Sequence, residues 1–327
     1  MTETVRWAVI GTGRISESFV PDLQLAAAHS VTAVWGRSDE RAEAFAGARG
    51  IPTWSSDLDD VLRRDDVDAV YIATPPATHV SIALRALDAG KHILVEKPMA
   101  MTAEDAAEIF ARAEARGVFA MEAMWMKFNP LHRAVHARIT DGLIGEPRHV
   151  RAGFGMPFPA GGSRWSAELG GSTVLDQGIY PVTLALWMLG PVATVTATGR
   201  VRDGIDIAAH ITLEHDGGRV AQLGCSIVEF IDPSAAISGT AGWIEIPAMF
   251  WATDAAHIHA GSTQALFHTP DLLSHPREGN GYSPMIRAVN AAISAGLMQH
   301  PDHDAAATIA TARVMDSVRA AIFDGAR

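Results

Sequence analysis

From Trp7 to Ala123 the chain alternates short apolar runs with helical stretches, and that alternation leaves few folds open. The runs are "WAVIG" (7–11), "VTAVWG" (31–36), "AVYIATP" (69–75), "HILVE" (92–96) and "VFAMEA" (118–123). Between them lie a helix after Gly13, "DERAEAFAGA" (39–48), a shorter helix near Asp57–Arg63, "HVSIALRALDAG" (79–90) and "TAEDAAEIFARAEARG" (102–117). Continuous apolar strands separated by helices build a parallel sheet with helices on both faces. Thr102 as N-cap, Asp105 at the third helical position and Gly117 after the last turn bracket one of these helices.

The second half has a different rhythm. A helix over about 127–140 leads to a strand at 147–155, a Gly-rich loop and a helix near 177–188. Alternating β-like segments follow, two of them joined by the hairpin signal "HDGG" (215–218). Helical stretches at about 283–296 and 304–323 close the chain. The expectation is an α/β protein with two domains: residues 1–122, a doubly wound Rossmann domain, and residues 123–327, an α/β domain with a large, open, mostly antiparallel sheet. The C-terminal helix is expected to pack back on the first domain.

Length and charge agree with this and narrow the partners. A chain of 327 residues accommodates two ordinary domains. A net charge of −11 argues against a nucleic-acid surface, which needs a basic stripe. A single cysteine, Cys225, cannot form an intramolecular disulfide and fits a reducing cytoplasm. The start "MTETVRWAVIG", with Glu3 and Arg6, does not read as a signal peptide. The uncharged run Gln177–Gly199 is long enough to cross a bilayer, but Pro181 and Gly190–Pro191 split it into a helix and a strand, so no membrane span is expected. His257, His259, His268 and His275 lack the acids or cysteines of a metal site and are assigned to surface or sheet positions.

"VIGTGRIS" (9–16) carries the first functional signal. Gly11, Thr12, Gly13, Arg14 and Ile15 join the first strand to the first helix, where a pyrophosphate can meet a helix N-terminus; Ser16 replaces the third fingerprint glycine. After the second strand, Arg37, Ser38 and Arg41 stand where an NAD site would offer an acid. They suit a 2′-phosphate and so NADP(H), unless Asp39 takes the ribose or the arginines are plain surface charges. "ATPPATH" (73–79) and "EKP" (96–98) end the next two strands, so Thr74, Pro75, His79, Glu96 and Lys97 should face the cofactor.

Together with "EAMWMKFNP" (122–130) and "LGGSTVLDQGIYPV" (169–182), these motifs resemble the Gfo/Idh/MocA oxidoreductases nearly end to end. The resemblance implies an active site between two domains, oligomers (a homodimer or tetramer) formed through the C-terminal sheet, and Lys97 as a catalytic residue beside the nicotinamide. Tyr180 replaces the histidine of the usual Asp-x-x-x-His, with Asp176 before it. Together with Trp125, this is similar to the branch holding dihydrodiol dehydrogenases, glucose–fructose oxidoreductase and NADP-dependent xylose dehydrogenases.

Spacing supports the chemistry separately. Residues 176 and 180 fall one helical turn apart, and a nearby ammonium would lower the pKa of a phenol that is otherwise a poor base. The bland alternative makes Asp176 an N-cap and Tyr180 a packing residue. Trp125, Phe154, Arg164, Trp165 and Tyr282 are candidates to line a substrate pocket or to pack. The expected activity is hydride transfer between NADP(H) and a carbinol carbon of a sugar or trans-dihydrodiol, with Lys97, Tyr180 and Asp176 as catalytic residues. Reduction of ketosugars or dicarbonyls, or NADP sensing without catalysis, are the rivals.

Overall fold

Residues 5–26, 31–261, 263–264 and 269–325 are described by the computed structural model. The chain divides into two compact units. One comprises Met1–Phe128 and Glu278–Ile309, the other Asn129–Arg277 and Ala310–Arg327. The first unit therefore runs past residue 122 and takes in a segment from the C-terminal part of the chain.

In the first unit, chain order is β1 (Trp7–Ile10), α1 (Arg14–Ala26), β2 (Val31–Trp35), α2 (Asp39–Arg49), β3 (Thr53–Ser55), α3 (Leu58–Leu62), β4 (Ala69–Ile72), α4 (His79–Asp88), β5 (His92–Val95), α5 (Ala103–Arg116) and β6 (Ala120–Glu122). The strands form one parallel sheet in the order β3-β2-β1-β4-β5-β6. All four residues of β1 and of β4 are buried, as expected of strands covered on both faces. Strand order reverses between β1 and β4, which opens a crevice at their carboxyl ends. The edge strand β3 has no signature in the sequence, because three half-exposed residues make no apolar run. Helix α5 is bracketed as its ends predict: Thr102 Oγ1 accepts from Asp105 N at 3.2 Å, and Gly117 is left-handed at φ 66°.

In the second unit, α6 (Pro130–Thr140) starts later than periodicity predicts. Residues Trp125–Phe128 form a separate 3₁₀ turn, and the helix begins only where Asn129 caps it and Pro130 takes the first position. There follow β7 (Pro147–Gly155), α7 (Ile179–Leu189), β8 (Val192–Arg202), β9 (Ile205–His215), β10 (Arg219–Ser226), β11 (Ala235–Gly239), β12 (Gly242–Ile246), β13 (Ala255–Ala260) and β14 (Asp271–Ser274). The eight strands run in the order β14-β13-β12-β11-β7-β10-β9-β8. Neighbours are antiparallel except β7 and β10, which are parallel. The "HDGG" hairpin pairs Arg219 with His215, with Gly217 and Gly218 at positive φ. The long uncharged run divides into α7 and β8 at Gly190, and no helix among the described residues is long and apolar enough to cross a membrane.

The chain returns to the first unit as α8 (Ser283–Ser294) and the start of α9 (Ala305–Gly325); Ala305 and Ile309 pack against the α4–α5 side of the parallel-sheet core. Helix α8 packs on α1, and its approach is fixed by one buried carboxylate, Asp22. Asp22 accepts from Asn280 N at 2.8 Å and Tyr282 N at 2.7 Å, with Ser283 N at 3.3 Å. A side chain of α1 thus caps α8 and answers donors that the helix itself leaves unpaired. Gly279 is required beside it: φ is 55°, and a Cβ there would lie 2.3 Å from Asp22 Oδ1.

Candidate active site

The first unit supplies a dinucleotide cradle at the carboxyl ends of β1, β2, β4 and β5. Gly11 has φ 116°, and a Cβ on it would come 2.7 Å from the carbonyl oxygen of Ala73, so no other residue fits. A Cβ on Gly13 would meet nothing within 4 Å, which leaves open space before the first turn of α1, room of the kind a pyrophosphate needs at a helix N-terminus. Ser16, at the third fingerprint position, is fully buried. Gly36 is packed so closely that a Cβ would lie 3.1 Å from Thr12 Cγ2, which holds the end of β2 against the glycine loop. Arg37 and Ser38 follow directly and are exposed, as are Arg41 and Arg14. Ser38 takes the N-cap position of α2, yet its hydroxyl makes no capping bond. Asp39 opens the helix beyond it.

Thr74, Pro75 and Lys97 are half-buried at the next two strand ends. His79 is turned inward. It is 1% exposed, and its Nδ1 and Nε2 lie 2.8 Å from the carbonyl oxygens of Pro98 and Thr74. The imidazole therefore ties the two loops together. Only an imidazolium could donate to both carbonyls, and burial pushes its pKa down against them.

Glu96 is also buried, with Oε1 accepting from Tyr71 Oη at 2.5 Å and Oε2 from Lys97 N at 3.1 Å. Burial raises its pKa to about 7, against the pull of the Tyr71 hydrogen bond and the Lys97 charge. Behind this loop a second buried carboxylate, Glu122, accepts from Met99 N at 2.9 Å and faces His303 Nε2 at 3.0 Å. The Lys97–Pro98 peptide bond is cis.

Trp125 and Tyr282 pack with ring centroids 5.1 Å apart, and Tyr282 lies 5.5 Å from Phe19. Phe19 stacks on Tyr71 at 3.6 Å, and Tyr71 carries the hydroxyl that holds Glu96. Trp125, Tyr282 and Glu96, singled out in the sequence, are thus joined by two residues that were not, Phe19 and Tyr71. All three lysines of the chain are in this unit. Lys91 Nζ donates to the carbonyls of Arg64 and Val67 at 2.8 Å each, Lys127 is 8% exposed, and Lys97 is half-buried.

Protonating Glu96 removes the cost of burying a charge. Its contribution to stability is full below its ordinary value of 4.5 and is lost as pH rises to about 7. The stability of the native chain relative to Glu96→Gln is expected to fall over that window, by up to about 3 kcal/mol, and then level off. Urea unfolding of both proteins at pH 5 and pH 8 reads this. An unchanged difference would mean that the buried carboxyl does not titrate between pH 5 and pH 8.

The second unit holds Asp176 and Tyr180 across a junction. Val174–Gly178 form one π turn, and α7 begins at Ile179. Asp176 is therefore no N-cap, and the regular one-turn spacing read from the sequence is replaced by a wider turn, a distortion common at functional sites. Asp206 on β9 holds this turn: its Oδ2 accepts from Val174 N at 2.8 Å and Ser172 Oγ at 2.9 Å. Gly178 is closed in by Cys225, whose Sγ would lie 3.1 Å from a Cβ there. Burial pushes the Cys225 thiol up, so it is no nucleophile.

Tyr180, 5% exposed, packs with Trp251 at 5.8 Å and Phe154 at 6.1 Å, and those two stack at 3.6 Å. Trp251 was not singled out in the sequence; it lies 71 positions beyond Tyr180 in a loop with no motif. Arg164 donates to Asp176, whereas Trp165 packs elsewhere, against the cluster of Ile205, Ile207 and Ile227, with its Nε1 on Pro159 O at 2.8 Å. Gly171 serves the protein's own loop: a Cβ on it would lie 2.6 Å from Arg164 O. Among the described residues no three His, Cys, Asp or Glu side chains group as a metal site. His259 stacks on Trp243 at 4.1 Å, His257 Nδ1 lies 3.9 Å from Glu245, and His268 lies outside the described residues.

Residues 5–124 match the oxidoreductase family described as an NAD-binding Rossmann fold, and residues 132–245 match the GFO/IDH/MocA C-terminal domain. The trans-1,2-dihydrobenzene-1,2-diol dehydrogenase of Xenopus laevis is 31% identical over 317 residues, 95% of this chain and 96% of that protein. This chain belongs to the Gfo/Idh/MocA oxidoreductases. The corresponding Mus musculus enzyme is also 31% identical, with 97% of each chain covered. Among solved structures, the 3-ketoreductase KijD10 of Actinomadura kijaniata, in complex with NADP and TDP-benzene, superimposes with a TM-score of 0.87 at 29% identity over 98% of both chains. The aldose-aldose oxidoreductase of Caulobacter crescentus shares the fold, with a TM-score of 0.89 at 22% identity over 99% of this chain and 98% of that one. The chain is thus an oxidoreductase with an NAD-binding Rossmann domain.

Proposed function

We propose that the protein is an NADP(H)-dependent oxidoreductase that interconverts a carbinol and a carbonyl in a sugar or a trans-dihydrodiol. The observation that carries this reading is the end of β2, where exposed Arg37 and Ser38 offer a guanidinium and an uncommitted hydroxyl to a 2′-phosphate. Bound NADP⁺ supplies the hydride acceptor. In the oxidative direction Tyr180 takes the hydroxyl proton, Lys97 holds the oxygen as its carbon becomes a carbonyl, and Asp176 orients the substrate. A compact ammonium suits a single oxygen better than a planar fork does. The similar dehydrogenases of dihydrodiols and the NADP-bound 3-ketoreductase support both the cofactor and the substrate class. Assembly into dimers or tetramers through the eight-stranded sheet goes with this reading and is checked by sedimentation.

NADPH fluorescence on binding, followed by turnover against aldoses and trans-dihydrodiols, tests the function. Binding without turnover of any of them would turn the reading toward a cofactor sensor. Arg37→Ala is expected to weaken NADPH by about tenfold to a hundredfold, the value of a charge-assisted hydrogen bond, and to leave NADH nearly unchanged. Equal weakening of the two would remove Arg37 from the phosphate site.

A further inference from the structure

In the second unit one arginine is fixed on two sides and open on the third. Arg164 lies in the 3₁₀ turn Ser163–Trp165, drawn close to the segment before Asp176 because residue 171 has no Cβ. Its Nε donates to Asp176 Oδ2, and its guanidinium lies over the Phe158 ring, 3.9 Å from the centroid. The same Oδ2 accepts from Gln177 Nε2 at 2.7 Å, and Gln177 is itself oriented by Thr173 Oγ1 at 3.0 Å. Among the described residues neither terminal nitrogen of Arg164 donates to the protein. The side chains of Arg164 and Asp176 remain 35% and 30% exposed.

The result is a preset donor edge beside a preset carboxylate, which complements two oxygens on neighbouring carbons. The carboxylate accepts from one hydroxyl, and the guanidinium donates to the oxygen next to it. Asp176 already balances the charge of Arg164, so the pair favours a neutral polyol over a phosphate or carboxylate. We propose that Arg164 is the specificity-determining residue that, with Asp176, restricts substrates to neutral compounds bearing oxygens on adjacent carbons, one of them on the reacting carbon. The inference rests on the proposed dehydrogenase reading and assigns the selectivity to this chain's own loop.

The test compares matched substrates that differ by the adjacent oxygen alone: D-glucose with 2-deoxy-D-glucose, and trans-1,2-cyclohexanediol with cyclohexanol. In the native protein the full compound is expected to exceed its partner in kcat/KM by roughly tenfold to a hundredfold, because the deoxy compound leaves charged partners unsatisfied. Arg164→Met keeps the length and the contact with Phe158 but removes the donors, and is expected to bring that ratio to within about threefold of one. Arg164→Lys, which keeps one flexible donor, should fall between. If the Met variant does not fold, Phe158→Leu loosens the guanidinium while keeping the partner of Asp176, and a partial loss of the ratio is expected.

Titrating the protein–NADPH complex with the same pairs reads the ratio as Kd without turnover. A Kd ratio erased by Arg164→Met upholds the inference even where no substrate is oxidised, an outcome that removes the dehydrogenase reading alone. A ratio near one in the native protein, a ratio unmoved in Arg164→Met, or tenfold tighter binding of glucose 6-phosphate than of glucose would overturn it.

Discussion

Tyr180→Phe is expected to lower kcat by about 10²–10⁴ while NADPH binds as before. Only the hydroxyl is lost. The ring keeps its place against Trp251 and Phe154, so the aromatic cluster and α7 should be undisturbed. The glycine loop and Arg37, to which the proposed reading gives the cofactor's phosphates, are left unaltered by the change, so NADPH affinity is expected to hold. A proton-transfer residue acts in the transition state, so kcat and kcat/KM should fall together while KM stays close to the native value. Steady-state kinetics on the best aldose or diol, with a parallel NADPH titration, checks each part. Turnover within a few-fold of the native protein would remove Tyr180 from the chemistry.

Asp22→Ala is expected to cost about 4 kcal/mol of stability, the largest structural loss among these variants. The carboxylate is 1% exposed and accepts from the main chain of residues 280, 282 and 283. Alanine leaves those donors buried without an acceptor and removes an anion from the start of α8. Because Tyr282 packs on Phe19 and Trp125, the loosened loop should also weaken cofactor binding, in the opposite pattern to Tyr180→Phe. Asp22→Asn, which keeps acceptor oxygen without the charge, should recover part of the stability. Urea unfolding measures it, and a loss below about 1 kcal/mol would mean that water or another acceptor takes over.

What was legible in the sequence followed from local patterns. Buried runs such as "WAVI" and "HILV" needed no partner to declare themselves, and the cap of α5 and the turn glycines at 217–218 are written within a few residues. The glycine loop was readable because strand, turn and helix succeed one another directly. The missing parts depend on distance along the chain. Asp22 answers residues 258 to 261 positions away, and nothing near it marks a buried aspartate as a cap. Trp251 reaches Tyr180 only through the pairing of the second sheet, and Phe19 and Tyr71 read as ordinary apolar positions until they stack. The π turn at Asp176 escaped because composition does not distinguish it from an α turn. It is held open by Asp206 on another strand.

The placement of the three lysines bears on how the protein meets reactive carbonyls. Aldoses in open-chain form condense with free amines, and so do the activated esters used to label proteins. On this chain no lysine amine stands on the open surface: Lys91 is bound by two carbonyls, Lys127 is enclosed, and Lys97 is half-buried at its strand end. The exposed basic side chains are guanidinium groups, which do not form imines under mild conditions. Acylation or glycation of a lysine side chain must therefore reach a sheltered amine, and a bound dinucleotide that covers the strand end at Lys97 would be read out as protection of that residue from the label.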